Sequence, residues 1–186
     1  GNILRDLDKL KEAFDSYLKV IEINPKFSNI YPSITRFIKD SDLSQLNKLK
    51  LKKILNLLLE KKNVSHKELF KVFNFLYRNE IISNLEKVES ESSKTELFSN
   101  DKLIINALNK IIFTDIKLEQ LLTKVRKNIC VQISNNVESI NQSEINFITA
   151  LAEQCFLNEY IYSSTEEENL SLEKVINKCR DGEINE

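Results

Sequence analysis

Two glycines and two prolines are all that punctuate 186 residues. Glycine supplies the positive φ of tight turns and proline stops regular structure, so a chain this poor in both has few places to reverse sharply. Long helices meet that constraint; a turn-rich β fold does not. The apolar pattern agrees. Leu10, Ala13, Phe14, Tyr17, Val20 and Ile21 recur at helical spacing and predict an amphipathic helix over 10–23. A second is expected from Ser28, its cap, to about Lys39, with Pro32 in the first turns, where a missing amide costs little. Residues 44–61 read as a strongly apolar helix carrying Leu46, Leu49, Ile54, Leu55, Leu57 and Leu58. Ser65 and Glu68 have the spacing of a capping box and open a helix to about Arg78 that buries Leu69, Phe70, Phe73, Leu76 and Tyr77.

Residues 87–96 are polar, rich in Ser and Glu, and without a hydrophobic period, which marks a linker. Beyond them, helices are expected at about 100–112, 115–133, 143–162 and 166–180, with Ser99, Thr114, Ser143 and Thr165 as N-caps. Asn135 and Asn136 sit in a break. Residues 129–133 are β-branched but end a long helical period, so they stay helical. The expected fold class is all-α: helical hairpins over 1–62, a further helix packed on them over 63–86, the linker, and a bundle-like helical domain over 97–186.

The 27 basic and 28 acidic residues leave a net charge of −1, which favours no nucleic acid partner. No apolar run reaches the ~18 residues of a membrane span, and no secretory signal is present. Cys130, Cys155 and Cys179 are odd in number and far apart, neither a disulfide framework nor a zinc pattern. Free thiols suit a reducing, cytoplasmic setting. Gly1 and Gly182 are the only glycines, so no phosphate-cradling loop can be built and no cofactor is expected. His66 is the only histidine; a multi-His metal site is excluded, and a Ser/His/Asp triad would rest on one residue expected to be exposed at a helix start. Lys48, Lys50, Lys52, Lys53, Lys61 and Lys62 read as the solvated side of a Leu-rich helix, with no aromatic interleaved for base stacking. Glu166, Glu167 and Glu168 fall at a helix start, where the dipole stabilises negative charge.

One spacing is more specific. Gly1-x2-Leu4, Ala13-x3-Tyr17, Val20 and Pro25 fall at the intervals of a helical repeat with a period of about 34 residues. Small residues at 1 and 13, one on each helix, let two backbones approach to the ~8–10 Å of packed helices. Asp8 stands in the turn, Tyr17 and Val20 face the next helix, and Pro25 ends the unit. The stretch resembles the last well-formed unit of a tetratricopeptide repeat (TPR) array, its first residues cut off. One period on, Tyr31, Thr35 and Ile38 resemble the opening of a further unit. That match then decays, with Asn47 at the alanine position and Leu59 at the proline position, as in a capping repeat. The mid-repeat opening and the absence of Met lead us to expect an excised piece of a longer chain. TPR arrays that this stretch resembles bind peptides through Asn, Lys and Arg side chains; Asn2, Arg5 and Arg36 are the candidates for that face here, although an ordinary solvated polar surface is the favoured expectation for them.

A second resemblance lies in 113–168, sharpest at Ala150, Leu151, Ala152, Gln154, Cys155, Phe156, Asn158, Glu159 and Tyr160. That block is similar to the helical region between the TPR array and the class I S-adenosylmethionine-dependent methyltransferase domain of a group of bacterial TPR proteins. The resemblance implies a methyltransferase downstream, not within these residues. On the helix around it, Phe147, Ile148, Leu151, Cys155 and Phe156 are expected to line one face, with Cys155 a small core hydrophobe. Gln154, Cys155, Asn158, Glu159 and Tyr160 are the candidates for an inter-domain contact. The expected function is a non-catalytic interaction and connector module, not an enzyme in itself. Its partners would be a protein or peptide and neighbouring domains of the same chain, with no nucleic acid and no membrane. The alternatives are a helical part of a transferase substrate site completed after Glu186, and a free-standing scaffold.

Overall fold

The computed structural model describes residues 9–90, 101–135, 142–158 and 163–180. Every regular element among them is helical. The α-helices are α1 (Leu10–Ile23), α2 (Ile30–Asp40), α3 (Lys48–Leu59), α4 (Phe70–Ser90), α5 (Lys102–Lys110), α6 (Ile116–Asn135), α7 (Gln142–Leu157) and α8 (Glu166–Arg180). Short 3₁₀ turns, Leu43–Gln45 and His66–Leu69, precede α3 and α4. The chain divides into two compact units, Gly1–Arg78 and Asn79–Glu186.

In the first unit α1 packs on α2, and the 3₁₀ turn at 66–69 packs on α2 and α3. Its interior is aliphatic and aromatic. Phe14 stacks on Phe37 at 6.1 Å between ring centroids, Tyr17 tilts onto the same ring at 5.3 Å, and Phe73 stacks on Tyr77 at 5.5 Å. Leu51, Leu55, Leu58, Leu59 and Leu69 are fully buried around them. α1 ends at Ile23, where the Asn24 N–H closes onto the Val20 carbonyl, two residues ahead of Pro25. The buried Tyr31 hydroxyl then donates to the Pro25 carbonyl at 2.6 Å. The second helix thus begins tied to the end of the first.

Several local signals resolve differently from the sequence reading. Ser28 does not cap α2: the helix begins at Ile30, its preceding residue is Asn29, and no side chain closes it. The capping box at Ser65 does not form either. Residues 66–69 wind as a 3₁₀ turn, and Glu68 reaches across to Lys39 at 3.1 Å. The apolar stretch 44–61 is interrupted before α3, where Asp42 accepts the Ser44 N–H and Asn47 accepts the Lys50 N–H. α4 runs past Arg78 to Ser90, through the first residues of the expected linker; residues 91–96 lie outside the described residues. α6 is closed by Asp115, which accepts the Leu118 N–H, rather than by Thr114. Ser143 falls inside α7 and Asn135 inside α6. Ser99 and Asn136 lie outside the described residues. Thr165 does cap α8, accepting the Glu168 N–H at 3.2 Å.

In the second unit α5 packs on α7, and α6 packs on α7 and α8. Leu103, Ala107, Leu118, Leu122, Val125, Phe147, Ala150 and Leu151 form its apolar interior. Residues 129–133 are helical, as the long period predicts.

Candidate functional site

Among the described residues, the polar site with the most hydrogen bonds on one buried side chain is built on α7. Gln154 is fully buried, at 0 % exposure. Its Nε2 donates to the carbonyls of Leu108 at 2.7 Å and Ile111 at 2.6 Å. Its Oε1 accepts the Phe113 N–H at 3.0 Å and the Asn158 amide at 2.6 Å. The last carbonyls of a helix have no partner within it, and leaving them buried and unpaired is costly. One side chain therefore finishes the C-terminal end of α5 and fixes the segment that follows.

Beside Cys155, the next residue on α7, Arg126 on α6 meets Glu168 on α8. Nε donates to one carboxylate oxygen at 2.5 Å and Nη2 to the other at 3.1 Å, with side-chain exposures of 18 % and 6 %. Nη2 also donates to the Ser163 carbonyl at 2.7 Å, and Nη1 lies 3.6 Å from the Cys155 sulfur. Burial alone pulls the guanidinium pKa down, but the contacts with Glu168 and Cys155 outweigh it and hold it above its ordinary value. Burial, and then the Glu168 charge, push the Cys130 thiol up. A thiol kept protonated in this way is a poor nucleophile. The cluster is a bidentate clamp between two helices.

α8 carries this clamp at the expense of its own pattern. Glu168 and Ser171 are buried, and Lys178 donates to the Ser134 carbonyl at 3.0 Å. Leu170, Leu172 and Ile176 are exposed. α7 likewise turns Ile145 and Phe156 outward, Phe156 at 62 %. Phe156 thus departs from the expected apolar face. Ala150, Gln154 and Cys155 take the inward positions beside Phe147 and Leu151, and Phe156 lies on the opposite side of the helix.

The structure separates the candidate contact residues. Gln154 and Cys155 are turned into their own unit, with every polar atom of Gln154 engaged there, and Asn158 is half-buried on Gln154. Glu159 and Tyr160 lie outside the described residues. Of the repeat positions, Ala13 and Tyr17 are buried, Val20 is half-buried and Pro25 is exposed; Gly1, Leu4, Asn2 and Arg5 lie outside the described residues. Arg36 is exposed. His66 is half-buried rather than exposed, and its Nε2 is buried without a hydrogen bond among the described residues. Glu166 and Glu167 remain on the surface, Glu167 held low by the Lys127 hydrogen bond and charge, while Glu168 is withdrawn into the clamp.

The lysine run is only partly solvated. Lys48, Lys52 and Lys61 sit over the rings of Phe75, Tyr77 and Tyr31 at 5.4, 4.6 and 4.5 Å, and Lys50 pairs with Asp15 at 2.6 Å. Tertiary packing supplies the aromatics that the run itself lacks. Beside Lys50 a surface cavity of about 320 Å³ opens over Phe14 and Leu46, rimmed by Lys11, Asp15 and Asn47. Among the described residues no group of His, Cys, Asp and Glu is placed to hold a metal ion, and no helix is long and apolar enough to cross a membrane.

Sequence reasoning missed Arg126 and its clamp. The signal was present: Arg126 falls between Leu122 and Ile129 on the apolar stripe of α6, where a charge needs a buried partner. Nothing local names Glu168, 42 residues away, as that partner. No family model matches the chain, and no curated protein or solved structure matches it.

Proposed function

We propose that this chain is a non-catalytic interaction and connector module: the end of a TPR array joined to a helical unit that supports a neighbouring domain, with a methyltransferase as the neighbour the 150–160 block suggests. The observation that carries the connector reading is the apolar surface that α8 leaves exposed. One of its carboxylates, Glu168, is withdrawn into a buried clamp, while its apolar residues Leu170, Leu172 and Ile176 face outward. With Phe156 on α7, they are apolar surface of the kind that domain contacts cover. The inter-domain contact is therefore assigned to Phe156, Leu172 and Ile176, in place of the Gln154 and Cys155 side chains. Burial of Ala13 and Tyr17 on α1 supports the repeat reading of the first unit.

The test has two steps. Reading the gene beyond the codon for Glu186 should reveal a strand followed by a glycine-rich turn; a stop codon there removes the connector reading. In the longer product, Phe156→Glu with Leu172→Glu should leave the helical signal intact and release the neighbouring domain to limited proteolysis. Unchanged proteolysis would show that this surface does not carry the contact.

A further inference from the structure

The near-zero net charge of the chain conceals a division. Residues 1–78 carry 16 Lys and Arg against 9 Asp and Glu, and residues 79–186 carry 11 against 19. Within the basic unit, the positive charge gathers on α3. Leu51, Ile54, Leu55, Leu58 and Leu59 turn inward, which leaves Leu49 on the crest of the helix, 72 % exposed. Lysines surround it: Lys48 and Lys52 on the flank toward the rings of Phe75 and Tyr77, Lys53 one turn along the crest, and Lys50 on the other flank. Lys50 is neutralised by Asp15. Lys48, Lys52 and Lys53 have no carboxylate partner among the described residues.

We propose that the crest of α3 is a peripheral docking site for an anionic lipid surface. Leu49 enters the headgroup region, and Lys48, Lys52 and Lys53 meet the phosphate and carboxylate groups around it. A projecting apolar side chain flanked by three lysines without a carboxylate partner among the described residues matches the two-part nature of such an interface, apolar below and negatively charged above. Lysine stems lie along apolar surface with mobile ammonium groups, so Lys48 and Lys52 exchange the Phe75 and Tyr77 rings for lipid phosphate on docking. A nucleic acid strand fits less well. It would set Leu49 against phosphate and sugar, and it would find Tyr77 buried rather than open for stacking. An acidic protein would need a shaped pocket for Leu49, whereas a bilayer interface deforms to take it. The site is independent of the connector reading, which rests on the second unit. It also differs in kind from a membrane span, whose absence bears only on crossing.

The chain has no Trp, so Leu49→Trp places a single reporter on the crest. With vesicles of phosphatidylcholine and phosphatidylserine its emission should shift to the blue; with phosphatidylcholine alone, or at high salt, it should not. Ile116→Trp, equally exposed at 72 % in the second unit, should not respond. The unaltered chain should co-sediment with the anionic vesicles. Lys48→Gln, Lys52→Gln and Lys53→Gln together should weaken that binding on the order of a hundredfold, with the helical circular dichroism unchanged. Failure of the unaltered chain to sediment overturns the proposal. So does an equal response from Ile116→Trp. A Leu49→Trp response to single-stranded RNA or polyglutamate, but not to vesicles, overturns it in favour of those partners.

Discussion

In the first unit the deepest positions belong to Phe14, Phe37, Phe73 and a group of leucines. In the second, Gln154 is as deeply buried as any of these, and Arg126 and Glu168 face each other between two helices. The contrast teaches how two helical units, each with an apolar interior, differ in what buried polar groups add to it. Apolar packing is non-directional: it tolerates exchange and weakens roughly in proportion to the volume removed. A buried polar network is directional, so it specifies one arrangement and fails sharply when a single member is lost. α8 illustrates the consequence, since its inward side is chosen by Glu168 rather than by Leu172 and Ile176.

The comparison can be broken most forcefully at the clamp. Arg126→Ala strands the Glu168 carboxylate in the interior and should cost ~3–5 kcal/mol in urea unfolding followed by circular dichroism. Replacing both partners, Arg126→Met with Glu168→Leu, should recover most of that loss. If the single and double variants are equally unstable, the clamp is not an ion pair whose members depend on each other. Next comes Gln154→Leu, which keeps the volume but leaves the Leu108 and Ile111 carbonyls and the Phe113 N–H without their partner. We expect a loss of about 3 kcal/mol and faster amide exchange at Phe113; unchanged exchange there would mean that the segment is held by packing alone.

In the first unit, Ala13→Leu sharpens the comparison from the apolar side. Ala13 is fully buried on α1, so the extra volume should cost ~1–3 kcal/mol through overpacking, without the all-or-none character of the clamp variants. The smallest effect is expected at Asp42. Hydrogen bonds from the Ser44 side chain and backbone, then Gln45, hold its carboxyl below the ordinary range. A depressed carboxylate stabilises above its unfolded pKa of about 4 and loses that contribution as pH falls through its folded value. Asp42→Asn should therefore lower the melting temperature slightly at neutral pH and leave it unchanged in strong acid; an equal shift at both would place the effect in the turn geometry instead.

Much of the fold was legible because it is local. α1 and α8 follow the expected bounds, and Thr165 caps where its spacing says. The departures have physical causes. Ser28 and Ser65 have the chemistry of caps, but the backbone before α2 and α4 takes other routes, and Glu68 finds Lys39 instead of its own helix start. Phe156 and Leu49 are apolar by composition and exposed by rotation, because inward positions on their helices were already filled by Gln154, Cys155 and the buried leucines. A place at a helix start predicts an exposed His66, yet the turn it belongs to is packed on α2 and α3.

The sequence by itself determined that the chain is helical, roughly where its helices lie and how little it is punctuated, because periodicity and the scarcity of Gly and Pro act over a few neighbouring residues. Only the tertiary structure decided that Gln154 would finish α5, that Arg126 would find Glu168, and that lysines would lie over tyrosine and phenylalanine rings. Those pairings join residues tens of positions apart, and a side chain's partner at that distance is set by which helix faces meet rather than by any local pattern.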